Sequence, residues 1–235
     1  MGRKGKKEQP DWVISLPALE ATNKVPLSQR VYDSLLMAVS KGTIRPGEHL
    51  VEQTLADALG ASRISIREAI RKLALTGLVE IVPGQGAFVV SPDNKDIEEI
   101  FSFRALLEGE AARLATQRSQ PSDLMRLEEI ICEMEKVEEE GDRLAAASID
   151  LRFHHAIVEN ARHRRLLASW ETMESLIMLL VYDSSATYPD ICGLPDRHRI
   201  ILEPMKAGDF QAAGEAVRNH ILNAGEPLYK PDEHD

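Results

Sequence analysis

Residues 27–90 read LSQRVYDSLLMAVSKGTIRPGEHLVEQTLADALGASRISIREAIRKLALTGLVEIVPGQGAFVV, and the order of hydrophobic periods within them decides the fold. Over 28–41 the apolar Val31, Leu35 and Val39, with Leu36 beside them, recur at helical spacing, and Gly42 stands where a helix-ending glycine belongs. Pro46-Gly47 turns the chain. A short helix over 50–59 ends at Gly60, and a second over about 62–76 ends at Gly77. The start of the second is open between Ser62 as its cap and Ser65 capping with Glu68 in a capping box. The period then changes. LVEIV and AFVV are short β-branched runs joined by the turn PGQG, which reads as a hairpin. Helix, short helix, tight turn, helix and hairpin is the order of a winged helix-turn-helix, whose second helix is set for the major groove.

Charge agrees with that reading only once the chain is divided. The whole carries a formal net charge of −10. Residues 1–90 hold 12 Lys and Arg against 9 Asp and Glu, or +3, whereas 91–235 hold 16 against 29, or −13. Only the first part is electrostatically fit to approach phosphates. Within its second helix Arg63 and Arg67 are four apart and share a face, opposite a buried stripe of Ile66, Ile70 and Leu73. Arginines at such a helix start can fork onto guanine or clamp phosphate, assisted by the helix dipole. The tip Pro83-Gly84-Gln85-Gly86 is small enough to lie along a neighbouring groove.

With PGxxL, LAxxLGxSR, REA-x-RKL, GLV and GxGxxV present in order, residues 27–90 resemble the winged-helix domain of GntR-family regulators. The resemblance implies DNA contacts from Gln53 in the short helix, from Ser62, Arg63, Ser65 and Arg67 around the recognition helix, and from Gly84 in the wing. One departure is ISI where many members carry TPV, which puts Ile64 in place of a common threonine.

The rest of the chain is helical. Residues 1–25 read as a flexible arm with a basic MGRKGKK start, 26–90 as the DNA-binding domain, 91–95 as a polar linker, and 96–226 as an all-α helical bundle. Helices are expected over about 96–118, 122–140, 142–160, 163–182, 196–207 and 209–224, with breaks at Pro121, Gly141, Asn160, the 183–195 loop and Gly208. The fold class is therefore mainly α. No apolar run is long enough for a membrane span, no secretory signal is visible, and Cys132 and Cys192 match no disulfide framework, so a reduced cytoplasmic setting is expected.

In the bundle, Asp150 and His154 stand at i and i+4 on one helix face, His198 opens a later helix and His220 lies near the end of the last. Three imidazoles and a carboxylate suit a divalent metal ion such as Zn, Ni, Mn or Fe, with positions left for water or a ligand carboxylate. Spacing alone does not select them, because His155, His163, His49 and His234 are equally available and surface histidines are the ordinary outcome. The acidic run EMEKVEEEGD over 133–142 reads as a solvated helix end.

FRALLEGEAARLA, DLRFHHAIVEN and RHRIILEPMKAGDFQAAGEAVRNHI resemble the FCD ligand-binding domain of the FadR branch of GntR regulators. That resemblance implies metal ligation by Asp150, His154, His198 and His220, and an effector-facing role for Arg104. His155 is expected to pack or to lie at the surface, and His163 to be solvated. A homodimer on a palindromic operator, released by a small carboxylate or sugar-acid effector completing the metal's coordination, is the expected mechanism, with repression the commoner sign. The alternatives are a purely structural metal and a metalloenzyme; against the latter, no separate general base accompanies the ligands.

Overall fold

The computed structural model describes residues 10–14, 16, 25–40, 42–183 and 191–225, and the chain divides after Ser91 into two units, each with its own core. The basic MGRKGKK start lies outside the described residues. Inside the stretch expected to be a loose arm, α1 (Asp11–Ile14) forms one helical turn, and its Trp12 and Val13 are buried. This part of the arm is anchored by apolar packing toward the next-but-one helix. Four residues are too few to carry a periodic signal.

The first unit continues with α2 (Leu27–Ser40), α3 (Glu52–Leu59), α4 (Arg63–Leu75), β1 (Val79–Val82) and β2 (Gly86–Val89). Leu35, Val39, Leu55, Leu59, Ile66 and Leu73 are wholly enclosed, and Ile70 completes the expected α4 stripe. Ser62 caps α4: its side chain accepts from the Ser65 amide at 3.1 Å, which settles the helix start. Correspondingly, α3 begins at Glu52 rather than at residue 50. His49 bridges to Phe88, and the Leu50 amide donates to Ala87 O at 2.8 Å, so these two residues extend the hairpin instead of the helix. β1 and β2 pair antiparallel with Val79 opposite Val89 and Val82 opposite Gly86.

The second unit is a bundle of α5 (Asn94–Arg118), α6 (Pro121–Glu140), α7 (Arg143–Asn160), α8 (Arg164–Asp183), α9 (Leu194–Lys206) and α10 (Phe210–Gly225). α5 takes up the end of the expected linker because Asp93 and Asp96 form a reciprocal capping box, at 2.8 and 3.0 Å. α9 likewise absorbs Pro195 into its first turn, where a missing N–H costs no hydrogen bond.

α7 positions the site. Ala147, Leu151, Phe153, Ala156, Ile157 and Val158 are all buried although they spread around its circumference, so α7 runs through the interior rather than over the surface. Polar residues on such a helix are carried inside with it. α10 closes against α5 at two glycines: a Cβ on Gly214 would stand 2.9 Å from Gly109 O. The acidic run is not merely solvated. Glu133 pairs with Arg152 of α7, Glu135 with Arg199 of α9, and Glu138 accepts from the Gly193 amide, tying α6 to its neighbours. Among the described residues, no helix is long and apolar enough to cross a membrane.

Candidate metal centre and nucleic-acid interface

Asp150 and His154 project one turn apart from α7, His198 comes from the first part of α9, and His220 from α10. The bundle brings one ligand atom from each to within 4.8 Å of the others. Asp150 Oδ1 lies 3.1 Å from His198 Nε2 and 3.9 Å from both His154 Nε2 and His220 Nε2. Bonds of about 2.0–2.2 Å from one ion to nitrogen and oxygen hold its ligands within roughly 4.4 Å of each other, so small inward shifts would complete such a sphere. His154 and His198 are fully buried, Asp150 nearly so, and His220 retains slight exposure.

The histidines face one another without donating to one another. His154 Nε2 and His198 Nε2 are enclosed and make no hydrogen bond; the 3.1 Å approach of His198 Nε2 to Asp150 Oδ1 lacks hydrogen-bond geometry. Two orphaned imidazole nitrogens beside a carboxylate are costly in a dry interior unless a cation takes them up. His198 Nδ1 is 2.8 Å from Leu194 O, which places its proton there and leaves Nε2 as a lone pair toward the cluster. The donor set fits a divalent first-row metal, and no other group of three or more candidate ligands exists among the described residues.

Electrostatics follow from the same packing. Burial alone would raise the Asp150 pKa, but the neighbouring His154, His198 and His220 outweigh it and hold the carboxyl well below the usual range. Burial pushes His220 down to about 4, against the opposing pull of Asp150.

Two more residues stand beside this cluster, and one of them, Glu108, was not singled out in the sequence. Glu108 of α5 is fully buried, with Oε2 2.5 Å from His154 Nδ1 and Oε1 accepting from Arg104 Nε and from Trp170 Nε1, each at 2.6 Å. Desolvation would raise its pKa, yet Arg104 and His154 bring it to about 2. Arg104, the expected effector residue, is itself buried, with Nη2 3.9 Å from Asp150 Oδ2. The Arg104–Glu108 spacing of four could equally have been an exposed helix pair; only burial distinguishes the two. His155 stacks on Trp170 at 5.1 Å between ring centroids, and exposed His163 accepts from the Leu166 amide at the start of α8. His49 stacks on Phe88, and His234 lies outside the described residues.

In the first unit, Gln53, Ser62, Arg63, Arg67 and Gly84 are exposed and Ser65 is half-buried beside Ser62. Gly84 sits in the left-handed region at φ +77°, which keeps the hairpin tip tight. Gln53 donates to Asp57 one turn along α3. Glu52 is the residue the sequence did not single out. It accepts two hydrogen bonds from Arg67, at 2.8 and 2.7 Å, and one from Arg63 at 3.4 Å. The Arg67 hydrogen bonds hold the Glu52 carboxyl below its ordinary pKa.

Residues 27–89 match the family described as "Bacterial regulatory proteins, gntR family", and residues 99–223 match "FCD domain". The chain is a GntR-family transcription regulator with an FCD domain. This GntR regulator is 30% identical over 210 residues to a protein of Paenarthrobacter nicotinovorans named "Probable D-xylose utilization operon transcriptional repressor", covering 86% of this chain and 91% of that one. It is 30% identical over 207 residues to the HTH-type transcriptional regulator YdhC of Bacillus subtilis, with the same coverage of 86% and 91%. The solved structure of Escherichia coli McbR/YncC superposes with a TM-score of 0.74 at 23% identity, over 87% of this chain and 97% of that one, and supports the fold. GntR-FCD proteins regulate transcription and are not enzymes, so the metalloenzyme alternative falls.

Proposed function

We propose that this regulator is a homodimeric repressor whose grip on a palindromic operator is controlled by a small carboxylate or sugar acid bound at a divalent metal in the FCD domain. Asp150 Oδ1 within 3.9 Å of three imidazole nitrogens, in a buried cluster with orphaned acceptors, is the observation that carries the metal reading. A bound divalent ion would supply Lewis-acidic positions for a ligand carboxylate. Asp150, His154, His198 and His220 hold it, and the buried guanidinium of Arg104 beside Asp150 favours an anionic ligand in the same place. The relative named for a D-xylose operon points toward sugar-derived acids as the first class to try.

In the DNA-binding unit, Arg63 and Arg67 present guanidinium groups from the first two turns of α4, with Ser62 and Ser65 at its N-terminus, Gln53 on α3 and Gly84 at the wing tip. In a two-fold dimer each set meets one half-site. The effector shifts the operator equilibrium only by its differential affinity for the DNA-incompetent state, which for effective release amounts to a few kcal/mol.

The test is a thermal-shift screen of the purified protein against carboxylic and sugar acids, with and without a chelator, followed by operator binding with any acid that stabilises. An acid whose shift vanishes on chelation and which releases the operator is expected. Chelation lowering the melting temperature while no acid alters operator affinity would leave the metal structural and sink effector control.

A further inference from the structure

Glu108 is not among the proposed metal ligands, yet it is enclosed beside one of them: Oε1 is hydrogen-bonded, while Oε2 lies against a His154 nitrogen without hydrogen-bond geometry, and neither reaches solvent. Oε2 faces His154 Nδ1 at 2.5 Å, and Oε1 takes the Arg104 and Trp170 donors at 2.6 Å each. We infer that Glu108 is the outer-shell positioning residue of the metal centre: it fixes the tautomer and ring orientation of His154 and, through the Trp170 indole, carries the state of the centre to α8. The inference rests on the metal reading above.

The geometry distinguishes His154 from its fellow ligands. A carboxylate 2.5 Å from Nδ1 favours the tautomer that carries its proton there and needs only a small rotation to accept it, so Nε2 points its lone pair into the cluster. His198 has only a backbone carbonyl behind it, the Leu194 oxygen at 2.8 Å. An anionic acceptor raises the basicity of the opposite nitrogen more than a neutral one does, which makes His154 the stronger donor of the two. Glu108 can perform this only if it cannot rotate away. Arg104 Nε and the Trp170 indole N–H hold its second oxygen, and side-chain exposure of 1% at Glu108 and 3% at Arg104 excludes water as a substitute partner.

Trp170 gives the arrangement a reporter. It is fully enclosed on α8, with its indole N–H on the same carboxylate that backs His154 and with His155 stacked 5.1 Å from it. When a cation draws electron density from His154, the pull of its Nδ1 side on the facing Glu108 oxygen strengthens and the share of the carboxylate left to the indole weakens. A carboxylate serving only to neutralise Arg104 would leave metal affinity and Trp170 untouched.

The experiment uses full-length protein stripped by chelator and titrated with Ni²⁺ or Zn²⁺ alone. Affinity is read by competition with a chromogenic chelator, and Trp170 emission is followed in a Trp12→Phe background, because the chain has two tryptophans. Metal is expected to change Trp170 emission with the same midpoint as binding. Glu108→Gln is expected to weaken metal binding by about 10–100-fold and to abolish the emission change. Glu108→Asp keeps a negative charge facing Arg104 while withdrawing the carboxylate from His154; it is expected to fold where the Gln variant does not, and to weaken binding similarly. Wild-type affinity in both variants overturns the positioning role, and flat Trp170 emission through saturation overturns the link to α8. Failure of wild-type protein to bind either ion overturns the metal reading itself, and the role of Glu108 with it.

Discussion

Glu52, the first residue of α3, and Arg67, one turn into α4, are joined by two parallel hydrogen bonds, Nε to Oε1 at 2.8 Å and Nη2 to Oε2 at 2.7 Å. Arg63 adds a longer one to the same carboxylate. The pair is half exposed, so it contributes little to stability, about 1 kcal/mol or less. Its consequence lies in orientation, since a fork held by one carboxylate offers its remaining N–H groups in a fixed direction.

Glu52→Gln is therefore expected to lower the ratio of specific to non-specific DNA affinity by about tenfold, within the 1–3 kcal/mol that one oriented base contact discriminates. Non-specific binding should rise slightly as the two arginines lose their counter-charge. Arg67→Ala is expected to abolish operator binding while leaving effector binding intact. Fluorescence anisotropy on an operator chosen by in vitro selection, against a scrambled duplex at two salt concentrations, measures both; an unchanged ratio in Glu52→Gln would refute the orienting role.

Removal of metal should destabilise the FCD domain and little else. A metal present at a thousandfold excess over its Kd stabilises by about 4 kcal/mol, worth roughly 10–20 degrees of Tm for a domain of this size. Asp150→Asn and His198→Ala should melt at the same temperature with or without chelator, whereas wild-type protein should not. A wild-type Tm indifferent to chelator would count against the cluster as a metal site.

The metal-free protein should be acid-sensitive in a defined window. Burial lowers His220 from 6.5 to about 4, so between those values the unfolded chain binds the proton and the folded one refuses it. Stability is fully present above pH 6.5 and falls as the pH drops toward 4, by up to about 3 kcal/mol at 1.36 kcal/mol per unit. Glu108, lowered from 4.5 to about 2, extends the same trend to more acid conditions. Urea unfolding of chelated protein at pH 7, 5.5 and 4.5 should show this slope, and His220→Gln should flatten it between pH 6.5 and 4.

Gly214→Ala sets two effects against each other. Alanine favours the helix by about 1 kcal/mol, but its Cβ would stand 2.9 Å from the Gly109 carbonyl oxygen, a backbone atom with no rotamer to yield. Overpacking of this kind costs about 1–3 kcal/mol. A net fall in Tm is expected, and calorimetry showing a rise would mean that α5 and α10 separate freely.

Much of this was legible in the residues. Val31, Leu35 and Val39 at helical spacing, then LVEIV and AFVV at strand spacing, place the elements of the first unit to within about two residues. What escaped was set by distant partners: the Trp12 turn is too short for periodicity, and Leu50 leaves its helix because the Ala87 carbonyl lies across from it. In the bundle, seven histidines offered candidates, and spacing tied only His154 to Asp150. His198 and His220 join them through the packing of α9 and α10, which no local pattern encodes. Glu108 and Glu52 were hidden for the same reason: a glutamate's sequence neighbours do not say whether it will be enclosed, or which arginine will face it.

The interior run of Arg104, Glu108 and His154 also constrains how this sequence can drift. Exchange of Arg104 or Glu108 alone strands the other's charge in a dry interior at about 3–5 kcal/mol, a large fraction of what holds an ordinary domain together. Exchange of both for apolar residues of matching volume carries no such penalty. In a saturation library, single variants that remove the charge at either position should vanish while selected doubles survive. The chemistry of this pocket is thus inherited as a block, and a lineage reaches a different one by paired steps.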